Sequence, residues 1–442
     1  MTIKNGDWQL IRSQITAKNL IRTVEEICSI GPRIMATEGE HKAMEYIEKY
    51  FKISGLRTEV TWIEGVVSWK EVYARARVIK PLEYEMTCHA VPGSSSTPEE
   101  GIVGEVIYVG RGHESDYVGK NVKDKIVLHD PPYVRRTDNP GFDEVIDRAT
   151  KKGAKGVIEY SEVRGKGLVQ PRNTGRKGVE IPVVCVTYQD GVYLKELINE
   201  WYAEPRGWIV TQKIPVEVWI KTKVIKQEGK TGYVEGILEG TDLKDEEIIV
   251  VAHHDSPGMG LGANDNASGI SVVLNVARAF TSGPRPRRTI RFVTVGGEEY
   301  GYVGSEFYAK KLSESKRKVK AVIVLDLVGV GSKHVYCVEG MYGGQVRRTS
   351  QWLNNLIVKT AEELGYLLEP TTVDFTSDDG PFIAMGFPTS YIGPRLLPDT
   401  VQFHTYLDTP DNLDPNDLKV TADIVSAVLW RLAFMENLNI ST

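Results

Sequence analysis

The sequence predicts an α/β protein: a core with a mainly parallel mixed sheet covered by helices on both faces, plus a mostly β inserted domain. Three observations carry this. From about Val224 onward, short apolar runs alternate with amphipathic segments in the βαβ manner. Residues between Thr16 and Phe51 repeat apolar side chains at helical spacing. The stretch between these regions breaks into short β-like runs separated by Gly, Pro and Asp.

Taken in order, Leu20, Ile21, Val24 and Ile27 form one helical stripe and Ala43, Ile47 and Phe51 another, with Gly31-Pro32 punctuating the two. Gly55 ends the second helix, and Arg57 to Val67, rich in β-branched residues, is predicted as a strand. Residues 1–84 are therefore assigned to the first part of the core and 85–220 to the insert. Within the insert the strand-like runs are Ile102 to Val109, Lys125 to Leu128, Gly156 to Tyr160 and Pro182 to Thr187, with short helices at Phe142 to Lys152 and Gly191 to Ile198. Residues 221–442 complete the core. Its predicted strands are Ile248 to Ala252, Thr289 to Val295, Ala321 to Leu327 and Thr389 to Ile392. Between the first two lies a helix, Ala267 to Phe280, with Ile270, Val273, Leu274, Ala277 and Phe280 on one face.

A chain of 442 residues with 41% hydrophobic and 26% charged residues has the composition of an ordinary globular protein of several domains. The net charge of −5 and the lack of a long basic block argue against nucleic acid or an anionic membrane as a partner. No apolar run reaches the roughly 18 residues of a spanning helix, and the first 20 residues interleave polar and charged side chains. A soluble, cytoplasmic protein is expected. Cys28, Cys88, Cys185 and Cys337 are far apart and form no CxxC pair, which argues against a disulfide framework and a structural zinc site.

Side chains able to bind metal recur just past the predicted strand ends, where open α/β sheets place their ligand crevice. The first strand runs into His253-His254-Asp255, and a Gly-flanked loop follows with Asp265. The second runs into Gly296-Gly297-Glu298-Glu299, the third contains Asp326, and His404 lies near the C-terminus. Imidazole and carboxylate donors on separate strand ends suit a catalytic zinc site with a coordination position left for water. A loop carboxylate such as Asp265 suits a bridge between two ions. Consecutive side chains leaving a strand diverge, so one residue of Glu298-Glu299 can bind metal while its neighbour handles protons. Gly258-Met-Gly260-Leu-Gly262 lacks the pattern of a phosphate loop. His41, His89, His113, His129 and His334 fit no such pattern and are expected to be surface or structural residues, and Arg33 is expected to brace a turn. Asp378 and Asp379 either line the cleft or start a helix.

These residues resemble the M28 aminopeptidases, co-catalytic dizinc exopeptidases of the leucine aminopeptidase type. The order His-x-Asp, Gly-Ala-x-Asp-Asn, Glu-Glu, a strand Asp and a late His is matched, with spacings of 12, 33, 27 and 78 residues from His253 to Asp265, Asp265 to Glu298, Glu299 to Asp326 and Asp326 to His404. Gly31-Pro32-Arg33, Ser377-Asp378 and Asp408 to Leu413 add to the likeness, and the insert is similar to a protease-associated (PA) domain. The resemblance implies a zinc-peptidase (aminopeptidase-like) core. It implies two Zn²⁺ per chain, with Co²⁺ or Mn²⁺ as other candidates: His253 and Asp326 on one ion, Glu299 and His404 on the other, and Asp265 bridging. Glu298 would be the general base, Asp255 would orient His253, and His254 would point away. Two zincs against three ligating carboxylates leave a net charge of about +1, which favours a zinc-bridged hydroxide.

The implied function is a metallo-aminopeptidase acting on peptides with a free N-terminus, with a homo-oligomer left open. The alternatives are an inactive peptidase-fold binding protein, or a related carboxypeptidase, endopeptidase or glutaminyl cyclase activity. Two positions depart from the family: Asp379 stands where relatives often carry His, and Phe403 where they often carry Tyr. Tyr406 is a candidate substitute for that missing phenol.

Overall fold

The computed structural model describes residues 6–130, 142–161, 178–199, 215–315, 317–330, 334–343, 345–372, 377–394, 403–436 and 438; at residues 142, 334–337, 341 and 394 the backbone alone is described, so the side chain of His334 lies outside the description. The chain divides into two compact units, Met1–Val66 with Gly229–Thr442, and Val67–Glu228. It passes from one to the other within two long strands, Arg57–Lys80 and Glu217–Leu238.

At the centre of the first unit are four parallel strands in the order Thr389–Pro394, Lys318–Leu325, Leu243–His253 and Arg288–Val295. Antiparallel strands flank them: His334–Tyr342 beside the first and Tyr233 to Leu238 beside the last. Successive residues of a strand face opposite sides, and here both sides are covered. Ile248, Val250, Ile290, Phe292, Ile323 and Leu325 pack on one face with the helices Ala17–Cys28, Glu38–Ile53, Ser268–Thr281 and Pro415–Phe434. Ile249, Val251, Val293, Val295, Val322 and Val324 pack on the other with Tyr308 and Leu312 of helix Val303–Glu314 and Phe382 of helix Asp379–Ala384. Strands buried on both faces read as unbroken apolar runs, which is how the sequence announces them.

Local signals set the helix ends. The Thr16 hydroxyl accepts the Asn19 amide at 3.2 Å, and Asp414 accepts that of Asn416 at 2.8 Å ahead of Pro415. Gly55, at φ +83°, takes the left-handed conformation that closes helix Glu38–Ile53. An additional helix, Gly6–Ser13, precedes the two predicted ones. The strand expected at Ala321 to Leu327 is shifted. It spans Lys318–Leu325, and Asp326 is the first residue beyond it, its amide still bonded to the Ile392 carbonyl at 3.2 Å.

In the second unit, strands Ile102–Tyr108, Ile126–His129, Gly156–Tyr160 and Val183–Val186 pair in parallel in that order. Cys88–Ala90 closes one edge antiparallel, and Glu217 to Ile220 pairs antiparallel at the other. Helices Phe142–Lys151 and Tyr188–Asn199 accompany the sheet, whose two faces bury separate apolar clusters. No described helix is long and apolar enough to cross a membrane.

Candidate active site

The register of the central strands brings their C-terminal ends to one edge. His253 pairs with Val295, and Val251 with Val324, so His253, Asp326 and the Gly296–Glu299 turn emerge at a common level. Asp265 comes from the loop between strand Leu243–His253 and helix Ser268–Thr281, and His404 from a segment more than a hundred residues later in the chain.

The six residues singled out as metal ligands and general base converge. His253 Nε2 lies 3.2 Å from Asp265 Oδ1 and 3.3 Å from Asp326 Oδ1. His404 Nε2 lies 3.2 Å from Asp265 Oδ2 and 3.3 Å from Glu299 Oε2. Asp265 thus presents one oxygen to each imidazole. Three groups have ligand atoms within 4.8 Å of one another: His253 with Asp265 and Asp326, Asp265 with Glu299 and His404, and His253 with Glu298 and Glu299.

The donor set and its spacing fit divalent ions. A ring nitrogen carries at most one hydrogen and makes one full hydrogen bond at most, yet Nε2 of each imidazole faces two carboxylates. Bonds of about 2.0 to 2.1 Å in a tetrahedron put neighbouring donor atoms about 3.3 to 3.4 Å apart, close to the 3.2 to 3.3 Å found. All-nitrogen-and-oxygen donors of this kind suit zinc, and cobalt or manganese also fit.

Around this set lie carboxylates and hydroxyls that touch the ligands. Asp255 accepts the backbone amides of Glu298 at 3.1 Å and Glu299 at 3.2 Å, and its Oδ1 lies 3.5 Å from His253 Nδ1. The nearer partner of His253 Nδ1 is the Asp255 backbone carbonyl at 3.2 Å, so one residue orients the imidazole through its carbonyl and the Glu-Glu turn through its carboxylate. Ser377 Oγ donates to Asp326 Oδ2 at 2.8 Å. Asp408 accepts the amides of Asn264 at 2.6 Å and Asp265 at 3.0 Å. Sequence reasoning noticed the Ser377 and Asp408 segments but assigned neither a role, because nothing in their spacing says which backbone they fold back upon.

Burial pushes the Glu298 carboxyl well above the usual carboxylate range, and Glu299, Asp378 and Asp326 push it the same way. Burial likewise pushes Glu299 up to about 7, with Asp265 adding and His404 opposing. Burial would also raise Asp265, but bonding to His253 and His404 outweighs it and holds that carboxyl below its ordinary value.

Other residues fall out as follows. His254 is buried on a different side, with Nδ1 3.2 Å from Thr294 Oγ1 and Nε2 3.7 Å from Glu40 Oε1. Arg33 is fully buried and donates to three backbone carbonyls, bracing the chain. Asp379 and Asp378 are both buried at the start of helix Asp379–Ala384. Asp379 accepts the Ser377 amide at 2.9 Å and Asp378 accepts the Ser305 hydroxyl at 2.5 Å. Phe403 stacks on the His404 ring at 3.8 Å between centroids. Tyr406 is 58% exposed.

Known peptidases are similar to this chain in sequence and in fold. Residues 234–429 match the model of peptidase family M28, and residues 93–194 match the PA domain. The aminopeptidase YwaD of Bacillus subtilis is 28% identical over 426 residues, covering 94% of this chain and 84% of that one. Carboxypeptidase Q of Bos taurus is 25% identical over 423 residues, covering 93% and 84%. Among solved structures, the aminopeptidase from Aneurinibacillus sp. strain AM-1 superposes with a TM-score of 0.74 at 25% identity, covering 98% of each chain. Strand ends, donor set and sequence likeness converge on a peptidase whose residues 234–429 resemble peptidase family M28 and whose residues 93–194 resemble a PA domain.

Proposed function

We propose that the chain is a two-zinc aminopeptidase that removes the N-terminal residue of peptides. The observation that carries this is the divided Asp265 carboxylate, with Oδ1 3.2 Å from one imidazole and Oδ2 3.2 Å from the other. A carboxylate so placed suits two neighbouring ions. His253 and Asp326 would hold one, Glu299 and His404 the other. Bound there, the ions supply Lewis-acid polarisation of the scissile carbonyl and a water acidic enough to ionise near neutral pH.

The remaining work falls to the chain's own groups. Glu298 shares the turn with Glu299 and lies in the same group as His253, and in this reading it takes the proton of the attacking water and passes it to the leaving amine nitrogen. Asp255 holds Glu298 in place through its backbone amide, and its carbonyl fixes the His253 ring at Nδ1. For the choice of peptide end, support comes from hydrogen-bond acceptors. Glu298, half-buried, and Asp378, buried, add carboxyls beyond the ligand set, and Oδ2 of Asp378 has no hydrogen-bond partner among the described residues. Such carboxyl oxygens can accept the N–H groups of an incoming ammonium, which a substrate carboxylate does not offer. Arg33, the buried cation beside the loop, spends its donors on the carbonyls of His254, Leu261 and Gly262.

The test is product mass spectrometry on one peptide in four forms, with free, acetylated, amidated and N-terminal glutamine ends, alongside amino-acid p-nitroanilides. Stepwise loss from a free N-terminus, blocked by acetylation and indifferent to amidation, is expected. Loss from the C-terminus, internal cleavage, or cyclisation of the glutamine without shortening would each replace the proposal.

A further inference from the structure

We infer that Arg33 and Asp408 form a charged clamp that positions Asp265 by gripping its loop from both sides, and so sets how tightly the chain holds its metal pair. The inference rests on the two-ion reading above. The loop from Leu261 to Asp265 is held at its start through carbonyls and at its end through amides. Arg33 Nη1 donates to the Leu261 carbonyl at 2.6 Å and Nη2 to that of Gly262 at 2.9 Å, while Nε donates to the His254 carbonyl at 2.9 Å. Asp408 takes the Asn264 amide on one oxygen at 2.6 Å and the Asp265 amide on the other at 3.0 Å, and its own carbonyl lies 3.3 Å from the Ala263 nitrogen. Both side chains are buried, Arg33 at 0% and Asp408 at 2% exposure.

The loop conformation leaves little slack. Gly262 adopts φ +58°, and a Cβ there would meet the Asp265 carbonyl oxygen at 2.3 Å and Arg33 Nη2 at 3.0 Å. Ser256 closes the circuit, its hydroxyl accepting the Arg33 amide at 2.9 Å and its amide donating to the Arg33 carbonyl at 3.2 Å. Asp408 also lies four residues after His404, with its amide bonded to the Thr405 carbonyl at 3.1 Å. One short segment therefore delivers a candidate ligand and the group that holds the bridging residue's backbone.

Chemistry matches each half of the clamp to its task. The guanidinium is a planar fork of donors and suits several carbonyls at once, which a lysine cannot reproduce. A carboxylate accepts two N–H groups on two oxygens, while an amide in the same shape offers one oxygen and turns a donor toward the other N–H. Metal-binding constellations tolerate displacements of only about 0.5 Å, so a loosened Asp265 amide carries its carboxylate out of register with one imidazole or both. Arg33 and Asp408 are positioning residues acting through the loop.

The test compares the wild type, Asp408→Asn and Arg33→Lys by zinc titration calorimetry and by zinc content after dialysis. Near-ultraviolet circular dichroism of the metal-free proteins reports the fold, and Co²⁺ absorption reports ligand geometry. Both variants are expected to lose 10- to 100-fold in affinity for the ions, to change the Co²⁺ spectrum, and to lower kcat with KM within about threefold. A folded variant that binds two ions with wild-type affinity overturns the clamp. A second measurement needs no variant. In metal-free wild type, the amides of residues 263–265 are expected to resist hydrogen exchange, and exchange as fast as in an exposed loop overturns the inference regardless of how the variants fold. Should the wild type itself bind fewer than two ions, the two-zinc reading fails rather than the clamp.

Discussion

Asp255 offers the sharpest perturbation, because its carboxylate holds both amides of the Glu-Glu turn beside His253. It accepts the Glu298 amide at 3.1 Å and the Glu299 amide at 3.2 Å, and its Oδ1 lies 3.5 Å from His253 Nδ1, which also faces the Asp255 carbonyl at 3.2 Å. It is fully buried, so no water takes its place. Asp255→Asn keeps the shape and removes the charge and one acceptor. Two amides then compete for a single oxygen, and one of them faces an NH₂ group. A lost charge-assisted hydrogen bond together with a buried N–H left unpaired costs about 2 to 4 kcal/mol. Part of that loss is in folding stability and part in the placement of Glu298, Glu299 and His253. Zinc affinity is expected to fall 10- to 100-fold. With zinc restored to saturation, kcat is expected to remain low while KM changes little, since the damage lies in the groups that move protons and hold the metals. The assays are urea unfolding of the metal-free protein, zinc titration calorimetry, and release of p-nitroaniline at saturating zinc. An Asp255→Asn protein with wild-type metal affinity and wild-type kcat would refute the assignment.

Three further expectations accompany it. Glu298→Ala keeps its metal content and loses about 10²- to 10⁴-fold in kcat, as removal of a general acid/base does; turnover near the wild-type rate removes Glu298 from the mechanism. His129 is fully buried and burial lowers its pKa to about 4 from an ordinary 6.5. Its neutral form is thus favoured by folding, the contribution is complete above pH 6.5, and about 3 kcal/mol is lost by pH 4. Urea midpoints of wild type and His129→Gln at pH 7 and pH 4 check this, and an acid loss equally large in the variant contradicts it. Burial pushes the Cys28 thiol up to about 11 and Cys88 up to about 12, so both resist iodoacetamide at pH 8 in the native state and react on denaturation; rapid native labelling, mapped by mass spectrometry, contradicts that.

The central strands were legible because burial on both faces writes them as apolar runs, as in Ile248-Ile-Val-Val-Ala252. Glu217–Leu238 was not, since its first half carries Lys221, Lys223, Lys226 and Glu228 and pairs antiparallel, where polar side chains face water. Helix Pro415–Phe434 escaped for the opposite reason. Leu418, Ala422, Ile424, Val425, Val428, Leu429 and Leu432 are all buried, so no single stripe stands out. The unit boundary at Val67 and Glu228 lies inside two continuous strands, and composition changes little there.

At the site, the metal-binding candidates were readable because chemistry restricts them to His, Asp and Glu at strand ends. Their supports were not. Asp408 reaches an amide 144 residues away and Arg33 a hydroxyl 223 residues away, and such pairings exist only after folding. Asp326 shows how small the residual error can be: it stands one residue past its strand rather than inside it, and still faces His253 at 3.3 Å.

The zinc content of the wild type and of Asp265→Ala, measured by plasma emission after dialysis against micromolar zinc, bears most directly on the divided carboxylate. Two ions per wild-type chain and a joint loss of both from the variant are predicted. A variant that sheds one ion and keeps the other at full occupancy would mean that Asp265 serves a single metal, contradicting the account.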